Sequence, residues 1–150
     1  MYPAILFIHS WLRWIVLILF LISIYKSFAG FSGNKEYAKG DNALAASLLG
    51  CLHLQLLFGL LLYFVFSPIT TTAFSGDVSP MKDASIRYWA VEHIAMMIIA
   101  VVVAQIGRSK TKKLEESKSK FKTQLIFFSI ALVLILSRVP WTEAGRLFRF

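Results

Sequence analysis

Four long apolar segments constrain the fold of this chain more than any other feature. They run over residues 3–25, 43–67, 88–107 and 123–141, and basic residues or prolines end them. A helix needs about 20 mostly apolar residues to cross ~30 Å of hydrocarbon, and it satisfies its backbone polar groups internally in lipid. We therefore expect one all-α transmembrane domain, an integral membrane four-helix bundle whose helices run alternately up and down.

The composition excludes other classes of protein. Hydrophobic residues make up 57% of the 150 residues and charged residues only 16%. Soluble domains average roughly 45–50% apolar and about 25% charged residues, so a soluble monomer is nearly excluded, and disorder needs low hydrophobicity. The single cysteine, Cys51, excludes a disulfide framework within the chain.

The net charge of +8 lies mainly in two connections between the apolar segments. Residues 26–39 contain three lysines and residues 108–122 contain seven basic residues, whereas the middle connection has only Lys82 and Arg87. The positive-inside rule then predicts that the two basic connections are cytoplasmic and that both termini face the outer side of the membrane. The basic excess is thus topological and attracts membrane lipid, and it does not indicate binding of nucleic acid.

All three histidines, His9, His53 and His93, lie inside the apolar segments. Arg13 and Glu92 join them there. Ionisable residues inside a membrane are costly and usually mark a functional site. At ~1.5 Å per residue, His9 and His93 lie at similar depths, roughly 9 Å from the outer end, whereas His53 lies roughly 20 Å deep.

The equal depth of His9 and His93 indicates a pair of ligands. The first and third segments run parallel and lie on a diagonal if the bundle closes in chain order, so the two imidazoles can face each other as the axial ligands of a haem b iron. Arg13 lies one turn from His9 on the same face, where it can pair with a haem propionate or with Glu92. Arg138, near the outer end of the fourth segment, is a candidate for a second propionate.

Other roles stay open for these residues. His9 and His93 could instead hydrogen-bond water, lipid headgroups or each other, and Arg13 could extend to the outer headgroups. His53 could form an interhelical hydrogen bond, pair with His93 if its helix tilts, or line a quinone site. Gln55 is a weak partner for such a site, because it lies about 200° around an ideal helix from His53.

Three segments of the sequence resemble a known family. They are residues 9–14 (HSWLRW), 53–59 (HLQLLFG) and 91–97 (VEHIAMM). With them the whole chain resembles the small four-span bacterial membrane proteins labelled cytochrome b-like. The resemblance implies b-type haem and electron transfer, and it points to His9, His53 and His93. It also implies a location in a bacterial inner membrane, whose outer side is the periplasm.

We therefore expect a membrane-bound b-type haem protein that takes part in respiratory electron transfer. It would act with other respiratory membrane proteins or in contact with quinone, as an electron-transfer or accessory subunit more than as a stand-alone enzyme. One alternative is an accessory subunit without a cofactor. Another is a proton- or metal-handling membrane protein that uses His9, Arg13, Glu92 and His93.

Overall fold

The computed structural model describes residues 1–76 and 78–149, and within these ranges every regular element is a helix. Four helices are long: α1 (Tyr2–Ser32), α2 (Lys39–Leu61), α5 (His93–Lys113) and α6 (Ser117–Leu136). Three others are short: α3 (Pro68–Ser75), α4 (Ala84–Arg87) and α7 (Ala144–Leu147). The prediction of an all-α chain built on four long apolar helices is confirmed.

Four helical stretches are long and apolar enough to cross a membrane: Tyr2–Ser32, Lys39–Phe66, Ala84–Lys113 and Ser117–Leu136. They overlap the four predicted segments and mostly extend beyond them, because lysine and other polar helix formers continue the helices past the apolar runs. The fourth helix differs most from the predicted 123–141. It ends at Leu136, because Pro140 has no N–H for the Leu136 carbonyl and its ring would clash with that group.

The four long helices pack as a ring in chain order. Helix α1 packs against α2, α2 against α5, α5 against α6, and α6 against α1. Helices α1 and α5 therefore lie on a diagonal and face each other across the interior. The centre of the ring is apolar, and Phe20 of α1 meets Phe128 of α6 edge to face with ring centroids 6.0 Å apart.

Two glycines allow close approach to helix α6. A Cβ at Gly30 would lie 2.5 Å from the ring of Phe121, and a Cβ at Gly107 would collide with the side chain of Phe127. Both glycines are buried. The close packing of α1 and α5 against α6 thus depends on the absence of a side chain at these two positions.

Two π-helical segments interrupt the α-helical pattern, at Leu62–Phe66 after α2 and at Tyr88–Glu92 before α5. In each, a backbone N–H bonds the carbonyl five residues earlier, as from His93 to Tyr88. The two segments are joined, because the Tyr63 hydroxyl donates to the Ala90 carbonyl at 2.6 Å. A π turn inserts an extra residue and reorients the side chains that follow it, and such turns are frequent at functional sites.

Candidate functional site

A cavity of about 130 Å³ lies between the helices at the end of the bundle where α1 begins and α2 ends. We call this the cavity end, and we call the opposite end, with the connections 33–38 and 114–116, the loop end. The cavity wall is mostly aliphatic. Its polar side chains include those of His9, Arg13, Gln55, Tyr63, His93 and Arg146.

His93 lies on the wall at the start of α5, directly after the second π segment. Its Nδ1 is 2.9 Å from the backbone carbonyl of Arg138, which also accepts a hydrogen bond from the Tyr88 hydroxyl at 2.7 Å. Because a carbonyl can only accept, Nδ1 of His93 holds the proton, and in the neutral ring Nε2 is left with its lone pair free. This is the arrangement that orients a metal-ligating histidine in other proteins.

His9 lies on the opposite helix, on the same buried face of α1 as Leu6 and Arg13. Its Nδ1 is buried and has no hydrogen-bond partner. The amide nitrogen of Gln55 donates to the His9 carbonyl at 3.0 Å and lies 3.4 Å from Nε2 of the ring, while the amide oxygen of Gln55 is unpartnered. Gly59 makes room for the imidazole, since a Cβ there would lie 3.1 Å from its Cε1 atom.

Arg13 lies on the wall as expected from its spacing to His9, with only 9% of its surface exposed. Its Nη2 donates to the carbonyls of Arg146 and Leu147 at 2.9 and 3.0 Å, and its Nε is buried without a partner. Trp14 also donates to the Leu147 carbonyl, at 2.9 Å. These bonds fix the C-terminal segment with α7 against α1, over the cavity.

Glu92 does not pair with Arg13. Its carboxylate lies 3.1 Å from Nε of Arg87 and 3.5 Å from Nε of Arg138. Arg138 therefore directs its side chain to Glu92 and is not on the cavity wall, and it contributes its backbone carbonyl to the site by holding His93.

His53 lies apart from the other two histidines. It is exposed on α2, on a different face from Gln55, which is on the cavity wall. The structure thus brings His9, His93 and Arg13 to one cavity and leaves His53 and the side chain of Arg138 outside it.

The sequence did not identify Arg146 as a site residue. It belongs to the short helix α7, and its guanidinium lies 4.4 Å from the ring centroid of Trp89 and on the cavity wall. No sequence signal marks it, because residues 142–149 follow the last apolar segment and have no helical periodicity. Tyr63 and Trp89 are also on the wall, and both lie inside apolar segments, where the sequence does not distinguish an aromatic site residue from a packing residue.

The donor set of the cavity suits few metal groups. Among the residues that the structure describes, no cluster of three or more His, Cys, Asp or Glu side chains is placed to hold a bare metal ion. Two imidazoles are enough, however, for an iron that already has four equatorial ligands from a macrocycle. Comparison of the chain with family models, with curated proteins and with solved structures found no match.

Proposed function

We propose that this chain is a multi-pass protein of a bacterial inner membrane that binds b-type haem between His9 and His93 and takes part in respiratory electron transfer. One observation is the main support for it. Two histidines 84 positions apart in the sequence, on helices that face each other diagonally, lie on the wall of the same interior cavity. The resemblance to cytochrome b-like proteins agrees with this proposal.

The orientation in the membrane follows from the charge at the two ends. The loop end contains the lysine-rich connections between α1 and α2 and between α5 and α6, so we assign it to the cytoplasm. The cavity end then faces the periplasm, together with both termini. The aromatic side chains of Trp11, Trp14, Trp89 and Trp141 lie at this end, as side chains at a membrane interface do.

The residues of the cavity fit the polar requirements of haem. His93 offers a free Nε2, held in place by the carbonyl of Arg138. His9 is a buried imidazole without a partner on Nδ1, in a space that Gly59 leaves open. The space of about 130 Å³ is smaller than a macrocycle, so binding requires the wall to move outward.

When bound, haem supplies one-electron oxidation and reduction at its iron. The chain's residues then have three tasks. His9 and His93 bind the iron, the Arg138 carbonyl and Gly59 keep their rings in position, and the aliphatic wall excludes water. The axial ligands and a low-dielectric environment are two features by which a protein sets the reduction potential of a haem.

The size of the cavity favours a second candidate, the headgroup of a quinone. A cavity of similar size, ~150 Å³, is known to hold a benzene ring, and a quinone headgroup is a single ring with two polar oxygens. The unpartnered Nδ1 of His9 could donate a hydrogen bond to a quinone oxygen, and the amide oxygen of Gln55 could accept one from a hydroxyl of the reduced quinol. The chain would then act in electron transfer as a quinone-binding subunit.

The test is the spectrum of the full-length chain, purified in mild detergent from cells that make enough haem. We expect the α and Soret bands of a haem with two histidine ligands in the reduced protein. His9→Ala and His93→Ala should each abolish these bands. The matched control is His53→Ala, which should retain them because His53 is exposed away from the cavity.

Two results would contradict the haem proposal. One is a folded wild-type chain without haem, and the other is an equal loss of haem in all three histidine variants. Extraction of the same preparation with organic solvent decides the second candidate, because stoichiometric quinone in a haem-free chain would establish it.

A further inference from the structure

The charged side chains on the cavity wall have one sign. Arg13 and Arg146 both line the cavity, and of the residues that the structure describes no carboxylate does. Leucines, isoleucines and valines make up most of the remaining wall. The cavity is therefore an apolar space with two guanidinium groups on its wall and no internal counter-charge.

Arg13 is the more unusual of the two. Only 9% of its surface is exposed, and its hydrogen bonds go to the neutral carbonyls of Arg146 and Leu147. Its Nε is buried with no partner at all. A buried cation without a counter-charge is strongly unfavourable, and neutral carbonyls do not replace an anion.

Arg146 has a partner that can be exchanged. Its Nε contacts the carboxylate of Glu143 one turn earlier, and 44% of the Glu143 side chain is exposed. An ion pair at the surface contributes little to stability, so a better-placed anion inside the cavity can replace it at small cost. During such an exchange, the contact with the Trp89 ring keeps the guanidinium of Arg146 beside the cavity wall.

We infer that Arg13 and Arg146 bind carboxylates of the ligand in this cavity. Under the proposed function, on which this inference rests, the carboxylates are the two haem propionates, and they point toward the C-terminal segment with α7. Arg146 thus takes the place that the sequence assigned to Arg138, because Glu92 holds the Arg138 side chain elsewhere. The segment that covers the cavity also recognises its ligand.

A ligand without charge would not satisfy this wall. A quinone headgroup has no carboxylate, so it would leave the charges of Arg13 and Arg146 uncompensated. The inference therefore separates the two candidate ligands by charge as well as by spectrum.

The experiment compares haem with its dimethyl ester, in which both propionates are neutral. The full-length chain, prepared without haem in detergent, is titrated with each compound, and the dissociation constants are read from the Soret band. We expect wild type to bind the free acid about tenfold or more tightly than the diester, because the diester cannot form charge-assisted hydrogen bonds with the two arginines.

Arg146→Gln should lose most of this preference while it binds the diester as well as wild type does. Arg149→Gln removes a charge from the same segment at a residue that is not on the cavity wall, and it should keep the preference. Glu143→Gln removes the competing carboxylate and should strengthen the binding of free haem. This last variant keeps Arg146 itself, so it tests the inference even if Arg146→Gln folds poorly.

The outcomes are distinguishable. Equal binding of haem and its diester by wild type, with two histidine ligands in the spectrum, would overturn the inference and leave the proposed function intact. An unchanged preference in Arg146→Gln would also overturn the role of Arg146. Failure of wild type to bind either compound would overturn the proposed function and this inference together.

Discussion

The two ends of the bundle both bury polar side chains of helix α1, but they satisfy them differently. At the loop end the hydroxyl of Tyr37 donates to the amide oxygen of Gln124 at 2.9 Å, and the Gln124 amide nitrogen donates to Ser27 at 2.8 Å. Ser27 in turn donates to the Ser23 carbonyl at 2.7 Å. At the cavity end, His9, Arg13 and Gln55 each keep a buried atom without a partner.

The loop end is a structural network. Burial raises the pKa of the Tyr37 phenol above its usual value, so its hydroxyl stays protonated and continues to donate to Gln124. Two atoms at this end, Ser23 Oγ and one nitrogen of Arg108, also have no partner, but neither residue is on the cavity wall. At the cavity end, Nε of Arg138 and Nε of Arg149 also have no hydrogen-bond partner, and both residues lie off the cavity wall. What distinguishes this end is that three of its residues with an unpartnered buried atom, His9, Arg13 and Gln55, line one cavity, and this points to a ligand.

The largest expected effect is at Gly59, and it tests whether the space beside His9 is needed. Under the proposed function, Gly59→Val should weaken haem binding about tenfold or more, because overpacking costs about 1–3 kcal/mol and here displaces the ring of His9. The measurement is a haem titration followed at the Soret band. Gly50→Val is the matched control on the same helix, since a Cβ at Gly50 meets no atom within 4 Å. Equal losses in the two variants would refute a specific role for Gly59.

A second pair of variants compares the two ends directly. Gln124→Leu should lower the free energy of unfolding by about 2 kcal/mol, because it leaves the hydroxyl of Tyr37 and Ser27 without their partner. Gln55→Leu should cost less, because it loses the bond from the amide nitrogen to the His9 carbonyl but also removes a buried amide oxygen that has no partner. Unfolding by SDS titration, followed by circular dichroism, measures both. A larger loss for Gln55→Leu would mean that the cavity end is also a structural network.

The smallest effect is expected at the contact between the two π segments. Tyr63→Phe removes the hydroxyl that donates to the Ala90 carbonyl, and we expect a loss of about 1 kcal/mol. Ala90 lies three residues before His93. The same variant should therefore shift the haem spectrum slightly, in addition to lowering the free energy of unfolding. A variant with unaltered stability and spectrum would show that this contact does not help to position His93.

Much of the fold could be predicted because long apolar runs specify helices that are long and apolar enough to cross a membrane. The presence of His9 and His93 at one cavity was expected from the sequence, since both lie a similar distance from the start of their segments. The end of the fourth helix was wrong by several residues, because the apolar run continues to Trp141 while Pro140 stops the helix earlier.

Other parts of the site could not be predicted for physical reasons. The position of Arg146 depends on tertiary hydrogen bonds from Arg13 and Trp14 to backbone carbonyls, and any residue type supplies a backbone carbonyl. Whether the side chain of Arg138 faces the cavity or Glu92 depends on the rotation of two helices about their own axes. The spacing of residues along the sequence does not determine that rotation. The π segments depend on a shift of backbone hydrogen bonds, which leaves no residue signature.

The π segment at Tyr88–Glu92 makes the length of the chain, and not only its residue types, a determinant of the site. One residue of an α-helix corresponds to a rotation of about 100° around the axis. Deleting a single residue between Tyr88 and His93 would let the stretch return to an α-helix. The deletion would then rotate α4 and the connection before it about the helix axis relative to α5. A family of such chains would therefore tolerate substitutions here more readily than insertions or deletions, and a one-residue gap would mark a chain that has lost this site.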